Sequence, residues 1–188
     1  MLRTKLFLFL IVCTIPSTFF LQCASAAGFE NTLKVVIIRH GEKPEKGHNL
    51  SCKGQNRALQ LPSLFLKKSL KPDLVYVPSL GLGPFTTHAR MFQTASPSAI
   101  KFGLNINSQF DGSDAVGITK HLLTRNGTIL LVWEHSHIKS ITRGLGVNAP
   151  PKWHGKDFDS IWVVTFARGE ASLVIEQQDM IPSSVCNF

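Results

Sequence analysis

The chain has 188 residues, 44% of them apolar, and a formal net charge of +8. That apolar content excludes a disordered chain, and the length suits one compact domain rather than several. The basic excess suits anionic ligands such as phosphates or acidic glycolipids; with no Lys/Arg run beyond pairs such as Lys67-Lys68, nothing points to nucleic acid.

Residues 1–26 read as a secretory leader. Arg3 and Lys5 give a positive start, an apolar run extends from Leu6 to Leu21, and Ala24-Ser25-Ala26 is a small-x-small cleavage signal. Pro16 and a few polar residues leave the run too short and interrupted for a membrane span. The expected product begins near Ala27, is exported to the periplasm or secreted, and keeps no stable membrane span. Lipid attachment through Cys23 is disfavoured by its neighbour Gln22. Residues 27–188 then form a single domain. Export permits a bridge between its cysteines, Cys52 and Cys186, but spacing alone does not decide whether they meet, and it matches no metal motif.

Leu33 to Ile38 is apolar on both faces, as a buried parallel strand requires. Ser51 is a candidate N-cap for a helix whose apolar face runs through Ala58, Leu61, Leu64 and Phe65 up to Lys67-Lys68. Asp73 to Val77 reads as a short strand. Thr86 to Phe102 reads as a helix that Pro97 should end or kink. Ser113 to Arg125 is a third helix, closed by Asn126-Gly127. Thr128 to Trp133 is another continuous apolar strand, and Ile138 to Leu145 a helix ending at Gly144 or Gly146. Ser160 to Phe166 and Ser172 to Glu176 flank Arg168-Gly169-Glu170, a hairpin signal. This alternation predicts a three-layer α/β/α sandwich around a mainly parallel sheet.

In such folds ligands sit beyond the carboxyl ends of the strands. Two of the apolar strands deliver histidines there, both expected to stand exposed. One ends in Arg39-His40-Gly41, the other in Glu134-His135-Ser136-His137. Paired histidines at equivalent strand ends, one beside an arginine, form a candidate site.

These segments resemble the histidine phosphatase superfamily, whose fold is phosphoglycerate mutase-like. Arg39-His40-Gly41 matches its Arg-His-Gly motif after the first strand. Leu50-Ser51, Gly54 and the following Arg57-Ala58 match its Leu-Ser/Thr-x-x-Gly segment. Arg90 with Gln93-Thr94-Ala95 resembles its Arg-Ala-x-Gln-Thr-Ala segment, and Val132-Trp133-Glu134-His135 resembles the strand bearing its second histidine. The resemblance implies a phosphatase in which His40 attacks phosphorus and becomes phosphorylated. Arg39, Arg90 and His135 would bind the phosphoryl oxygens, because planar guanidinium forks match two oxygens each. It implies no cofactor and no metal. It is similar, too, to exported lipopolysaccharide core heptose phosphate phosphatases, which carry a histidine two positions after the catalytic one. His137 holds that place here and would contact substrate.

The proton donor is open at this level. The acid phosphatase branch has an aspartate directly after the second histidine, where this chain has Ser136. The mutase branch uses a glutamate between the second arginine and second histidine, where this chain offers Asp111 and Asp114. Glu134 is the third candidate. His88, His121 and His154 are assigned no role, and Trp153, Phe158 and Trp162 are assigned to the core. No segment is long enough for a helical cap, so the site should be open. The expected substrate is a phosphorylated small molecule or glycolipid. The competing readings are a non-catalytic phosphate- or phosphosugar-binding protein on the same scaffold, a mutase, and a phosphohistidine protein phosphatase.

Overall fold

A computed structural model describes residues 33–188. The leader and Cys23 lie outside these residues. Among the described residues no helix is long and apolar enough to cross a membrane.

Six strands form one sheet. They are β1 (Lys34–Arg39), β2 (Leu74–Tyr76), β3 (Ile106–Asn107), β4 (Thr128–Trp133), β5 (Ser160–Ala167) and β6 (Glu170–Gln177). Their order across the sheet is β3-β2-β4-β1-β5-β6. The first four run parallel, and β5 and β6 join as an antiparallel extension beside β1. Four helices cover the faces: α1 (Cys52–Lys67), α2 (Ala89–Phe102), α3 (Ala115–Leu122) and α4 (His135–Gly144).

The three layers follow from the strand period of two. Along β1, Val36 and Ile38 pack with Leu61 and Phe65 of α1 and Met91 and Ala95 of α2. Val35 and Ile37 point the other way, to Ile118 and Leu122 of α3 and Ile138 and Ile141 of α4. The strand β4 divides its side chains in the same manner. Each central strand is therefore buried twice, which is why both read as unbroken apolar runs.

Several boundaries differ from expectation. Pro97 lies inside α2 without ending it. That helix starts three residues later than expected, after His88 takes a left-handed φ of 58°. The third helix stops at Leu122 rather than reaching Arg125. Gly127, expected to close it, instead turns the chain into β4 with a φ of 83°. The fourth helix begins at His135, three residues before Ile138, so the second histidine is its first residue. Strand β3, only two residues long, offers no sequence pattern to read. The hairpin forms as expected, with Arg168 and Gly169 at φ 53° and 83°, the signs a two-residue primed turn requires.

Cys52, the first residue of α1, pairs with Cys186 in a disulfide with Cα atoms 5.0 Å apart. It ties the C-terminal tail to the start of that helix. Nearby, Arg57 is buried and fully engaged. Its Nε and Nη2 donate to the two carboxylate oxygens of Glu42 at 3.0 and 2.9 Å, and its Nη1 donates to Asp159 at 3.0 Å and Gln178 at 2.8 Å. One cation thereby holds the loop after β1, the entry to β5 and the exit from β6. Replacing Arg57 with Met leaves Glu42 without its buried partner. Denaturant unfolding of Arg57→Met should show a loss of about 3 to 5 kcal/mol. A loss below about 1 kcal/mol, the level of an exposed pair, would mean that the cluster does not hold the fold.

Candidate active site

The parallel register sets the site. Arg39 stands opposite Trp133, so β1 and β4 end at the same level and hand their next residues to one edge of the sheet. His40 follows the first strand and Glu134 the second. His40 Nε2 lies 3.9 Å from Glu134 Oε1, and the same oxygen lies 3.2 Å from His135 Nδ1. Glu134 is also the N-cap residue of α4. The first-turn amides and the positive end of the helix dipole therefore meet at this point, an arrangement suited to an oxyanion.

His40 is not the exposed residue the sequence suggested: it is 1% exposed. Its Nδ1 is 2.6 Å from the Gly41 carbonyl. A carbonyl only accepts, so the proton sits on Nδ1 and Nε2 keeps its lone pair. Burial pushes the imidazole pKa down to about 4. The hydrogen bond to Gly41 and the Glu134 carboxylate oppose that shift, and the Arg39 and Arg90 cations reinforce it. The result is a neutral histidine with one free nitrogen directed toward the Glu134 side.

The two glycines of the sequence motifs have a shared reason. A Cβ on Gly41 would stand 2.8 Å from the Gly54 carbonyl oxygen, and a Cβ on Gly54 would collide with the Glu42 backbone. The start of α1 thus packs backbone to backbone on the loop carrying His40. Ser51, as expected, caps that helix, accepting from Gly54 N at 3.1 Å. Its own hydroxyl donates to Glu42 O at 3.0 Å. From α2, Thr94 accepts from Gly41 N at 2.9 Å.

Arg39 is 4% exposed, and burial lowers its pKa against the pull of Glu134 and Asp157. Its Nη1 donates to Gly155 O at 2.7 Å, and its guanidinium lies 4.0 Å from the Phe158 ring centroid. Its Nε is buried with no protein partner, a donor left over for a ligand. Arg90 donates through Nη2 to Gly47 O at 2.6 Å and through Nε to Asn49 O at 3.2 Å. It shapes the loop after β1 as well as lining a cleft of about 80 Å³ with Glu134, His48 and His88. Burial lowers the His135 pKa, and Arg39 adds to that effect.

The structure therefore gathers Arg39, His40, Arg90, Glu134 and His135. It places the other proton-donor candidates in local structural roles. Asp111 is fully exposed, and it accepts from the Ser113 amide at 2.8 Å and hydroxyl at 2.6 Å, which lower its pKa. Asp114 caps α3, accepting from Gly117 N at 2.7 Å. His137 sits in the first turn of α4 and contributes to the charge environment of Asp111; it is not among the residues lining the cleft.

Two site residues were missed. Phe158, assigned to the core, supports Arg39 and meets the His40 ring edge-on at 6.0 Å. His88, assigned no role, lines the cleft, and its Nδ1 donates to Ser79 O at 2.7 Å. Its position two residues before Arg90 was the one available signal. Trp153 and Trp162 are core residues, their rings tilted against each other with centroids 5.0 Å apart. His121 is held by Tyr76 at 3.1 Å and is not among the residues lining the cleft.

No family model matches the chain, and no curated protein matches it in sequence. Solved structures do match. The protein histidine phosphatase SixA, solved with tungstate, aligns with a TM-score of 0.56 at 15% identity, over 77% of this chain and 97% of that one. A mycobacterial glucosyl-3-phosphoglycerate phosphatase, solved with inorganic phosphate, aligns at 0.54 and 13%, over 76% and 95%. The ecdysone phosphate phosphatase from Bombix mori aligns at 0.51 and 11%, over 82% and 97%. The chain has the fold of the histidine phosphatases.

The titration of His40 follows from its burial. The ring should remain neutral, with its proton on Nδ1, from pH 8 down to pH 5 and take a second proton near pH 4. Because the unfolded chain binds that proton near 6.5, the stability held above pH 6.5 should fall as pH drops toward 4. Nitrogen-15 NMR of the labelled ring reads the tautomer and titration together. A midpoint near 6.5 would contradict the burial argument.

Proposed function

We propose that this chain is an exported phosphatase that hydrolyses phosphate monoesters through a phosphohistidine on His40, without a metal. The observation that carries the proposal is the buried, neutral His40. Its Nδ1 is committed to Gly41, its Nε2 lies 3.9 Å from Glu134, which lines the cleft with Arg90, and the charges of Arg39 and Arg90 act on its ring. A phosphate-binding protein has no need of a desolvated nucleophile among its arginines.

The reaction has two halves. The Nε2 lone pair attacks phosphorus, the phosphorus–oxygen ester bond breaks, and the electron pair departs on oxygen. The leaving alkoxide takes a proton from Glu134, the one of the three candidate carboxyls set next to His40. Water then attacks the phosphohistidine and the phosphorus–nitrogen bond breaks. The pair returns to Nε2, and Glu134 recovers its proton from the water. Arg39, Arg90, His135 and the α4 amides supply the charge stabilisation throughout. Metal independence belongs to the proposal because Arg39, Arg90, His135 and the α4 amides are assigned the charge stabilisation that a metal ion would otherwise supply.

The proteins of similar structure are named as phosphatases acting on different phosphates. They support the reaction class and leave the leaving group undefined. Export is supported by the leader-like residues 1–26 and by the Cys52–Cys186 disulfide, which persists in oxidising compartments.

A nitrophenyl phosphate and an alkyl phosphate, each with and without a chelator, test the proposal. Wild type should turn over both with the chelator present, and His40→Ala should turn over neither. Glu134→Gln should lose roughly 10²- to 10⁴-fold on the alkyl ester and far less on the nitrophenyl ester, which departs almost unaided. Asp111→Asn and Asp114→Asn should show no such selectivity. Full turnover by His40→Ala, or activity that needs zinc or magnesium, would overturn the assignment.

A further inference from the structure

The opening of the cleft is bordered by two loops of unlike chemistry. One runs from Ser79 to Thr87. Thr87 N donates to Gly81 O at 3.1 Å, and Gly81 N donates to Thr87 Oγ1 at 3.1 Å, closing the loop on itself. Its base is pinned by Ser79 N donating to Phe110 O at 2.7 Å and by His88 donating to Ser79 O. The tip between these bonds presents Leu82 at 90% exposure and Phe85 at 69%. A loop fastened at its base thus holds Leu82 almost wholly in water and leaves most of Phe85 exposed, an apolar tip that the described fold does not cover.

The other loop follows β1. Phe85 stacks on its His48 with ring centroids 5.4 Å apart, which holds the two loops together. That loop exposes Lys43 and Lys46 beside a single acid, Glu45. Lys43 is close enough to the site to act on the charge of His135. His48 and Thr87, one from each loop, line the cleft with Arg90 and Glu134. An apolar tip, a basic flank and the phosphate site thus share one opening. Apolar side chains that enter a headgroup region, flanked by lysines that meet its negative charge, are the features by which a protein rests on an anionic lipid surface.

We propose that this rim docks on an anionic lipid–water interface, and that the site acts on phosphate monoesters of amphiphiles held there. The second half rests on the phosphatase reading; the docking does not. Leu82 and Phe85 enter the interface, Lys43 and Lys46 meet the anionic headgroups, and the cleft opens toward the surface from which a headgroup phosphate projects.

The test uses the full chain with vesicles of phosphatidylcholine, with and without phosphatidylglycerol. Residues 1–26 are the same in every variant, so differences between variants report on the rim. Wild type should co-sediment with the anionic vesicles, and Leu82→Ser/Phe85→Ser should lose roughly tenfold in partition with its melting temperature unchanged. Lys43→Gln/Lys46→Gln should bind both vesicle types alike. Turnover of phosphatidic acid in the anionic vesicles should fall with partition in Leu82→Ser alone, while that single variant hydrolyses soluble nitrophenyl phosphate at the wild-type rate. Equal partition of wild type and the Leu82/Phe85 variant, or no binding of wild type to anionic vesicles, would overturn the docking surface. Vesicle binding that depends on Leu82 and Phe85, with neither phosphate turned over, would support the surface and sink the phosphatase reading alone.

Discussion

The parallel pairing of β1 with β4 is the constraint on which the rest depends. Because Arg39 and Trp133 are partners across the ladder, the two strands run out together, and the next residue on each is a site residue. A slip of one residue would turn every side chain of β1 to the opposite face and carry His40 away from Glu134. The register is fixed by burial on both faces: Val36 and Ile38 are matched to α1 and α2, Val35 and Ile37 to α3 and α4. The same core packing that stabilises the domain therefore sets the distance between His40 and Glu134.

Onto this frame the loops add charge at a controlled level of exposure. His40 is neutral because burial disfavours its charged form, and its Nδ1–H, donated to the Gly41 carbonyl, fixes which nitrogen keeps the lone pair. Arg39 is desolvated beside it, which makes its charge stronger toward an anion and its burial costly without one. The cost is offset by Gly155 O, by the Phe158 face and by the nearby carboxylates, while Nε stays unclaimed by the protein. Arg57 adds to this: two hydrogen bonds to Glu42 and the close approach of Gly41 to Gly54 fix the loop that presents His40, and two more tie it to Asp159 and Gln178.

What sequence reveals here follows the range of the interactions involved. Both central strands, the Ser51 cap, the Arg168-Gly169 turn and the strand-end histidines are local patterns, and the structure contains each. Long-range consequences were not legible. Nothing local marks Cys52 and Cys186 as neighbours, or Phe158 as the surface beneath Arg39, more than a hundred residues away. The start of α4 was read late because His135-Ser136-His137 has no apolar period; the helix is set instead by Ile138 and Ile141 packing on the sheet. Asp114, one of the three candidate acids, opens a helix, and that position makes it a cap whose Oδ1 accepts from Gly117 N.

The central claim is that Gly41 and burial together reserve His40 Nε2 for phosphorus. Rapid quench with a phosphate ester, followed by phosphorus NMR and mass spectrometry of the trapped enzyme, tests it directly. The account predicts an acid-labile, base-stable phosphoryl group on His40, bonded to Nε2. A phosphoryl group on Nδ1, on another residue, or on none during turnover would contradict it.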